Sequence, residues 1–323
     1  MVRPREIAGA VLRRPAFWPL GVYLFLALFA PFLTLDQPIF CKLHGRYLLP
    51  ALNAFLGLPP PGPLGRPGAD AEALLEKDPD SFALWPPFRL GPTRTYPEVL
   101  APPSRAHPLG TDGAGRDLFA QVVHGARVSL FVALLSGLCA FLLGVPLGAL
   151  AGSAGGWTDA LLSRLVEVLA AFPSFFLVLA VMAWRGPDVL LLGILLGVTR
   201  WADLFRFTRA EFLRIGEREY VLAARALGMG PLRIALAEIL PNAWGAILVP
   251  LAFLLSGSIL LEAGLSWIGL GVPPTIPSWG HMLRAAHAGL FHAPHLLWPP
   301  GAALVLAVLS WNWAGEALRK GRR

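Results

Sequence analysis

Val128-Ser-Leu-Phe-Val-Ala-Leu-Leu-Ser-Gly-Leu-Cys-Ala-Phe-Leu-Leu-Gly-Val-Pro-Leu-Gly-Ala-Leu-Ala-Gly-Ser-Ala-Gly-Gly-Trp-Thr158 carries no charged side chain. About 20 mostly apolar residues suffice for a helix to cross the hydrocarbon of a bilayer, so this run holds a membrane span. The rest of the chain agrees. Of its 323 residues 55% are hydrophobic and 15% charged, with mean hydropathy +0.60, whereas soluble domains average about 25% charged. An ordinary soluble enzyme, a disordered chain and a nucleic-acid reader are excluded. The net charge of +7 is read as basic clusters flanking spans. The lysines are Lys42, Lys77 and Lys320, and none follows a glycine. A phosphate-cradling Gly-Lys-Ser/Thr loop is therefore absent, and any ATP that drives this chain is hydrolysed by another subunit.

Working outward, five more spans are expected. The first is Phe17 to Leu35. Arg13 and Arg14 precede it as in a signal peptide, but Pro31 follows the small-residue site Ala27–Ala30 and disfavours cleavage, so the span is read as retained. The third runs from about Leu165 to Trp184, and the fourth from Val189 to Phe205. The fifth runs from Pro241 to about Leu261, and the sixth from about Leu296 to Gly315. The predicted fold is an all-α, six-span integral membrane protein. Six spans put both termini on one side. Arg3, Arg5, Arg13 and Arg14 at one end, and Arg319, Lys320, Arg322 and Arg323 at the other, make that side cytoplasmic. Residues 1–35 are then the N-terminus and first span, 36–123 an external loop, 124–315 a five-helix core and 316–323 a basic tail. Cys41 and Cys139 are too far apart in character and sequence to form a disulfide framework and are read as packing residues.

The external loop is long, with eight basic and nine acidic residues. Pro59–Pro63 reads as extended chain, Ala69–Lys77 as a short helix, and Phe82–Phe88 as aromatic anchors. A docking cap and a structural lid are both open readings. The glycine-rich end of the loop, Leu109–Asp117, lacks the GxGxxG spacing and reads as a turn.

The segment 205–240 faces the cytoplasm with Arg206, Arg209, Arg214, Arg218, Arg225 and Arg233. Phe205 to Asn242 reads as helix, break, helix, break, span, with Gly216 interrupting the first amphipathic piece. A short helix from Arg218 to Leu227 is closed by Gly228, the residue suited to a left-handed cap. Pro231 suits the first turn of the next helix, and Pro241 the start of the fifth span. Ala223 and Ala224 offer a small surface that fits a partner's groove, with Tyr220 and Leu227 as anchors and Arg218 and Arg225 as charges. The alternative is an amphipathic segment on lipid headgroups.

The stretch Glu219-Tyr-Val-Leu-Ala-Ala-Arg-Ala-Leu-Gly228, followed by Ile239-Leu-Pro-Asn242, resembles the EAA motif of ABC-importer permeases. Ala223, Ala224, Gly228, Leu240 and Pro241 match it. Leu222 stands where the name-giving glutamate would be, and Glu238 occupies the strict isoleucine position. His107–Asp117, with Gly110, Thr111, Asp112, Gly115, Arg116 and Asp117, is similar to the entry to the second span in the dipeptide and oligopeptide branch. Leu261–Gly271 and Pro277–Leu283 are similar to that branch's fifth-span end. Ala83–Phe88 and Pro102–Arg105 look more like its Yej-type members. The resemblance covers about residues 105 to 318. It implies a type I ABC importer permease fold and di- or oligopeptide uptake by alternating access. It also implies docking of the coupling helix on ATP-binding subunits, a homologous second permease, an external substrate-binding protein, and no cofactor of the chain's own beyond the ATP its partners bind. The implied location is a bacterial or archaeal inner membrane, with lipid as the remaining partner.

Glu262, with Ser266 one turn later, lies near the outer end of the fifth span. A carboxylate there is read either as a contact on the translocation path or as a group hydrogen-bonded to the backbone of neighbouring helices. His281, His287, His292 and His295 crowd the last external loop at spacings of no common metal pattern. Because nickel permeases belong to the same branch, a metal-complex cargo is the alternative within transport. The alternative from another class, an intramembrane hydrolase, needs a nucleophile–base pair that is not found. Gly264–Gly269 is one residue too long for a nucleophile elbow.

Overall fold

The structure is a computed structural model that describes residues 17–65 and 70–320. The expected basic residues of the N-terminus (Arg3, Arg5, Arg13 and Arg14) and Arg322 and Arg323 lie outside the described residues. The helices that matter are α1 Trp18–Leu33, α2 Pro50–Leu56, α3 Ala71–Glu76, α4 Leu118–Ala154, α5 Gly156–Ala170, α6 Ser174–Arg185 and α7 Val189–Gly216. They continue as α8 Glu219–Ala226, α9 Leu240–Trp267, α10 Trp279–Ala288 and α11 Trp298–Lys320.

Among the described residues three helical stretches are long and apolar enough to cross a membrane: Leu118–Ala154, Pro231–Trp267 and Pro294–Lys320. The pair α5 and α6 together make a fourth, bent by 66°. The apolar helix α1 has 16 residues, and α7 carries Arg200, Asp203 and Arg206 in and just beyond the expected fourth span. The expected third span, Leu165–Trp184, straddles the bend. Pro173, extended at φ −61° and ψ 117°, stands between the two helices and cannot continue the first one.

The tightest packing in the bundle joins α4 to α7, and glycines make it. A Cβ on Gly144 would lie 2.7 Å from the Trp201 carbonyl, and one on Gly148 2.7 Å from the Phe205 carbonyl. One on Gly152 would lie 2.7 Å from the Phe212 Cβ. In the other direction, Gly193 of α7 sits against Leu135 and Gly197 against the Ser136 carbonyl and Cys139. Small residues four apart let two backbones approach this closely, which is how helices associate in lipid. Asp159 of α5 adds a bidentate ion pair to Arg209 of α7.

Three boundaries depart from expectation. The second span starts at Leu118, so the loop before it ends at 117 rather than 123. Asp117 sets that start by accepting the Ala120 N–H at 2.8 Å as N-cap. Helix α7 does not stop with the expected fourth span at Phe205 but carries Arg206, Arg209 and Arg214 on to the interruption expected at Gly216. Nor does Pro241 open a new helix. The chain passes from the turn Pro231–Arg233 through a π-helical turn, Ile234–Ile239, into α9.

The chain is also not wholly helical. Residues 40–84 hold a three-stranded antiparallel sheet, β1 Phe40–Leu43, β2 Arg46–Leu48 and β3 Phe82–Leu84, in the order β2-β1-β3. Cys41 pairs with Leu48 on one side and Ala83 on the other. Cys41 and Leu43 turn inward onto Leu64, Ala71 and Leu75, a small core of its own. The expected helix at 69–77 is α3, capped by Asp70. Both cysteines are free.

Candidate functional site

The short helix α8 hangs between α7 and the π-helical turn. It is held to the bundle through Val221 and Ala224, which join Ile215, Ile234 and Ile239 in one buried cluster. Its C-terminus closes as a Schellman motif: the Met229 N–H donates to the Ala224 carbonyl at 3.1 Å and the Gly228 N–H to the Arg225 carbonyl at 2.9 Å. Gly228 has φ +79° with nothing near a Cβ, so glycine is there for backbone conformation. Met229 packs on the same cluster as Ala224.

Facing away are Tyr220, Leu222, Ala223, Arg225 and Leu227, with Arg218 at the N-terminal end. Leu227 is 86% exposed. Desolvation, with the charge of Glu238 adding to it, raises the Tyr220 phenol above its ordinary range, so the ring presents a neutral hydroxyl. The structure therefore separates two residues that the sequence reading placed on one surface. Ala223 is exposed, while Ala224 is 7% exposed and belongs to the subunit's own interior. Leu240 and Pro241 lie on the continuous helix beyond the loop, not on the exposed face of α8.

The glycine-rich turn before α4 is a hydrogen-bonded knot. Asp112 accepts from the backbone of Ala114 at 2.8 Å and of Arg116 at 2.9 Å, and from the side chains of Arg116 and Gln121. Thr111 donates to the Glu98 carbonyl and accepts the Ala101 N–H. Asp117 receives His107 Nδ1 at 2.8 Å besides capping α4. Gly110 and Gly115 have φ +84° and +74° and lie directly against the Ala101 and Tyr96 carbonyls, so neither position takes a side chain. Every residue of this signature is committed to shaping the turn.

Glu262 is 0% exposed inside the subunit. Its carboxylate accepts from Ser129 of α4 at 2.9 Å, from Ser266 at 2.9 Å, and from Ser278, the N-cap of α10, at 2.8 Å. The partners are side-chain hydroxyls rather than the helix backbone of the sequence reading. Ser266 in turn accepts the Val272 N–H at 3.1 Å. The arrangement ties α4, α9 and α10 together, and neither residue has surface in this chain to offer a cargo.

The four histidines spread out. His287 packs edge-on to Trp267. His281 lies in a groove with Asp112 and Arg116, where burial and the Arg284 charge push it below the ordinary histidine range. Among the described residues no three His, Cys, Asp or Glu side chains come together as a ligand set.

The sequence reading overlooked Arg127 and Arg200. Arg127 donates to the carbonyls of Ala54 and Phe55 and clamps α2 to α4. Arg200 lies within α7 and donates to the Leu254 carbonyl of α9 at 3.2 Å. The signal for both was an arginine interrupting an apolar helix.

The profile of the family described as binding-protein-dependent transport system inner membrane component matches residues 144–322. The peptidoglycan transport system permease protein YejE of Agrobacterium fabrum is 32% identical over an alignment of 334 residues, covering 94% of this chain and 87% of that protein. The oligopeptide transport system permease protein OppC of Bacillus subtilis is 35% identical over 218 residues, covering 68% and 72%. The dipeptide transport system permease protein DppC of Alkalihalophilus pseudofirmus is 36% identical over 220 residues, covering 68% and 72%. Among solved structures, a chain of the MetNI methionine ABC transporter in an inward-facing conformation superimposes with a TM-score of 0.53 at 18% identity, covering 64% of this chain and 98% of that one. At that identity the likeness concerns the fold, which is that of a type I importer permease.

Proposed function

The chain belongs to the binding-protein-dependent transport system inner membrane components, and from that premise we propose that it is one of two homologous permease subunits of an ATP-driven importer of di- or oligopeptides. The names of the relatives support the cargo class. The observation that carries the coupling role is the exposed face of α8. A helix of eight residues is held to its own bundle by little more than Val221 and Ala224, yet it is rigidly capped and turns Tyr220, Ala223, Arg225 and Leu227 outward. Such a face suits a groove on a separate subunit, and small Ala223 lets the helix sit deep in it.

In this reading two ATP-binding subunits bind and hydrolyse the ATP, and each docks on the coupling helix of one permease. An external binding protein delivers the peptide. Closure of the ATPase pair moves α8, and with it α7 and the π-helical turn on either side, so that access alternates across the membrane. Both termini and α8 lie in the cytoplasm, and the residues 36–117 lie outside.

The test is affinity purification of the tagged chain from native membranes in mild detergent. The ATP-binding subunits and a second permease are expected with the native chain. Ala223→Arg is expected to lose the ATP-binding subunits and keep the second permease. Absence of any ATPase across several mild detergents would sink the importer reading. An ATPase still bound to Ala223→Arg would move the docking surface off α8.

A further inference from the structure

Arg200 stands near mid-depth in the bundle by three separate measures. It is eleven residues from Val189, where α7 begins, or about 17 Å along the axis. The carbonyl it meets, Leu254, lies thirteen residues from Trp267, where α9 ends, or about 20 Å. Its neighbour Trp201 packs on Gly144, well inside the charge-free run of α4. The hydrocarbon is about 30 Å thick, so neither membrane surface is within easy reach of this side chain.

A guanidinium has five N–H donors. The acceptor that Arg200 finds is a backbone carbonyl that already takes the Ser258 hydroxyl at 2.9 Å. Among the described residues no carboxylate lies within ion-pair distance of it. Asp203, almost a turn further on, is paired with Arg206 at 3.9 Å and acts on Arg200 only from beyond ion-pair distance, and Glu262 is engaged by three serine hydroxyls. The site is nonetheless built. A Cβ on Gly257 would lie 2.7 Å from Arg200 Nη1, so the glycine opens a notch in α9 that receives the guanidinium. At the same level Ser258 and Ser136, fully buried and 2.9 Å apart, join α9 to α4. Arg200 itself remains partly exposed. Charges at such depth are rare and mark a pathway or a partner.

We propose that the notch of Arg200, Gly257 and Leu254 binds the terminal carboxylate of a peptide in transit. The inference rests on the peptide reading above. The planar fork of arginine matches a carboxylate, and every linear peptide carries one at its C-terminus whatever its sequence. A contact to that group accepts varied cargo. The shared Leu254 carbonyl holds the fork in place without neutralising it, so the carboxylate is attracted and then released.

The test uses the complete transporter, co-purified through the tagged chain and reconstituted with its binding protein in liposomes of phosphatidylethanolamine and phosphatidylglycerol. ATP-driven uptake is measured for a labelled tripeptide and for its C-terminal amide, each at saturating concentration. Arg200→Met is expected to assemble with its partner subunits as the native chain does. Its uptake of the free acid should fall about tenfold or more, while uptake of the amide changes little. Arg200→Lys should recover part of the loss. Unchanged uptake of the free acid overturns the proposal, and so does an equal fall for acid and amide. Loss of the second permease from Arg200→Met also overturns it, because the counter-charge then belongs to that subunit. Native transporter that moves no peptide sinks the peptide reading itself, a result distinct from all of these.

Discussion

Ala223 and Ala224 are chemically identical neighbours with opposite surroundings, and a substitution tells them apart. Ala224→Arg forces a charge into the cluster of Val221, Ile234 and Ile239, and it should lower the melting temperature of the detergent-solubilised chain. Ala223→Arg should leave that temperature nearly unchanged while abolishing ATPase retention. If the two variants melt alike, α8 is rotated from the position described. Glu262 makes the second residue-scale prediction. Glu262→Leu leaves the hydroxyls of Ser129, Ser266 and Ser278 without their acceptor, at about 1–3 kcal/mol for each orphaned group. Glu262→Gln keeps an acceptor oxygen and should lose much less. Equal melting of the two would deny the bracing role. Glu262 was legible in the sequence as a costly carboxylate at membrane depth. Its partners were not, because Ser129 is 133 residues away and Ser278 sixteen, and no local pattern joins them.

At the scale of elements, glycine spacing decides where helices meet. Gly148→Leu should separate α4 from α7, since its side chain would meet the Phe205 carbonyl and Thr208, and overpacking against backbone costs about 1–3 kcal/mol or more. Native-like melting and retention of partners in that variant would show that the pair packs elsewhere. Gly228→Val, at φ +79°, should cost about 1–2 kcal/mol and fray α8 rather than the bundle, to be seen as faster amide exchange in 219–229. The sequence showed the spans and the cap because apolar runs and a Gly after a helix are local signals. It misplaced helix boundaries at Leu118, Phe205 and Pro241, while the break at Gly216 falls where expected. The first three turns of α4, Leu118–Arg127, place Gln121, His124 and Arg127 among apolar residues and read in part as loop, because the tertiary contacts that hold those side chains are not local. A π-helical turn absorbs Pro241 without a break.

For the whole molecule, orientation is the property to measure. With Cys41 and Cys139 replaced, a single cysteine at Tyr47, on the exposed face of the sheet, should react with an impermeant maleimide in spheroplasts. One at Leu227 should react in inside-out vesicles alone. The reverse pattern would invert the topology. The order of spans and the long insertion after the first of them could be read from composition. The sheet within that insertion could not, because its strands are three or four residues long and β1 pairs with β3 across some forty residues. The dipeptide-branch signature was legible as a motif, while its work as a turn-forming knot needed the contacts of Gly110 and Gly115.

The glycine contacts between α4 and α7 have a mechanical consequence. Backbones that touch at Gly144, Gly148, Gly152, Gly193 and Gly197 cannot slide past one another by a residue without collision, so the two helices tilt as one beam. The 28 residues of α7 span about 42 Å, and each degree of tilt displaces the far end by about 0.7 Å. With α8 attached at one tip, a push of a few ångströms there is delivered at the opposite mouth with similar amplitude and reversed sense about any fulcrum near the middle. Arg200 sits close to that fulcrum, where the stroke is smallest.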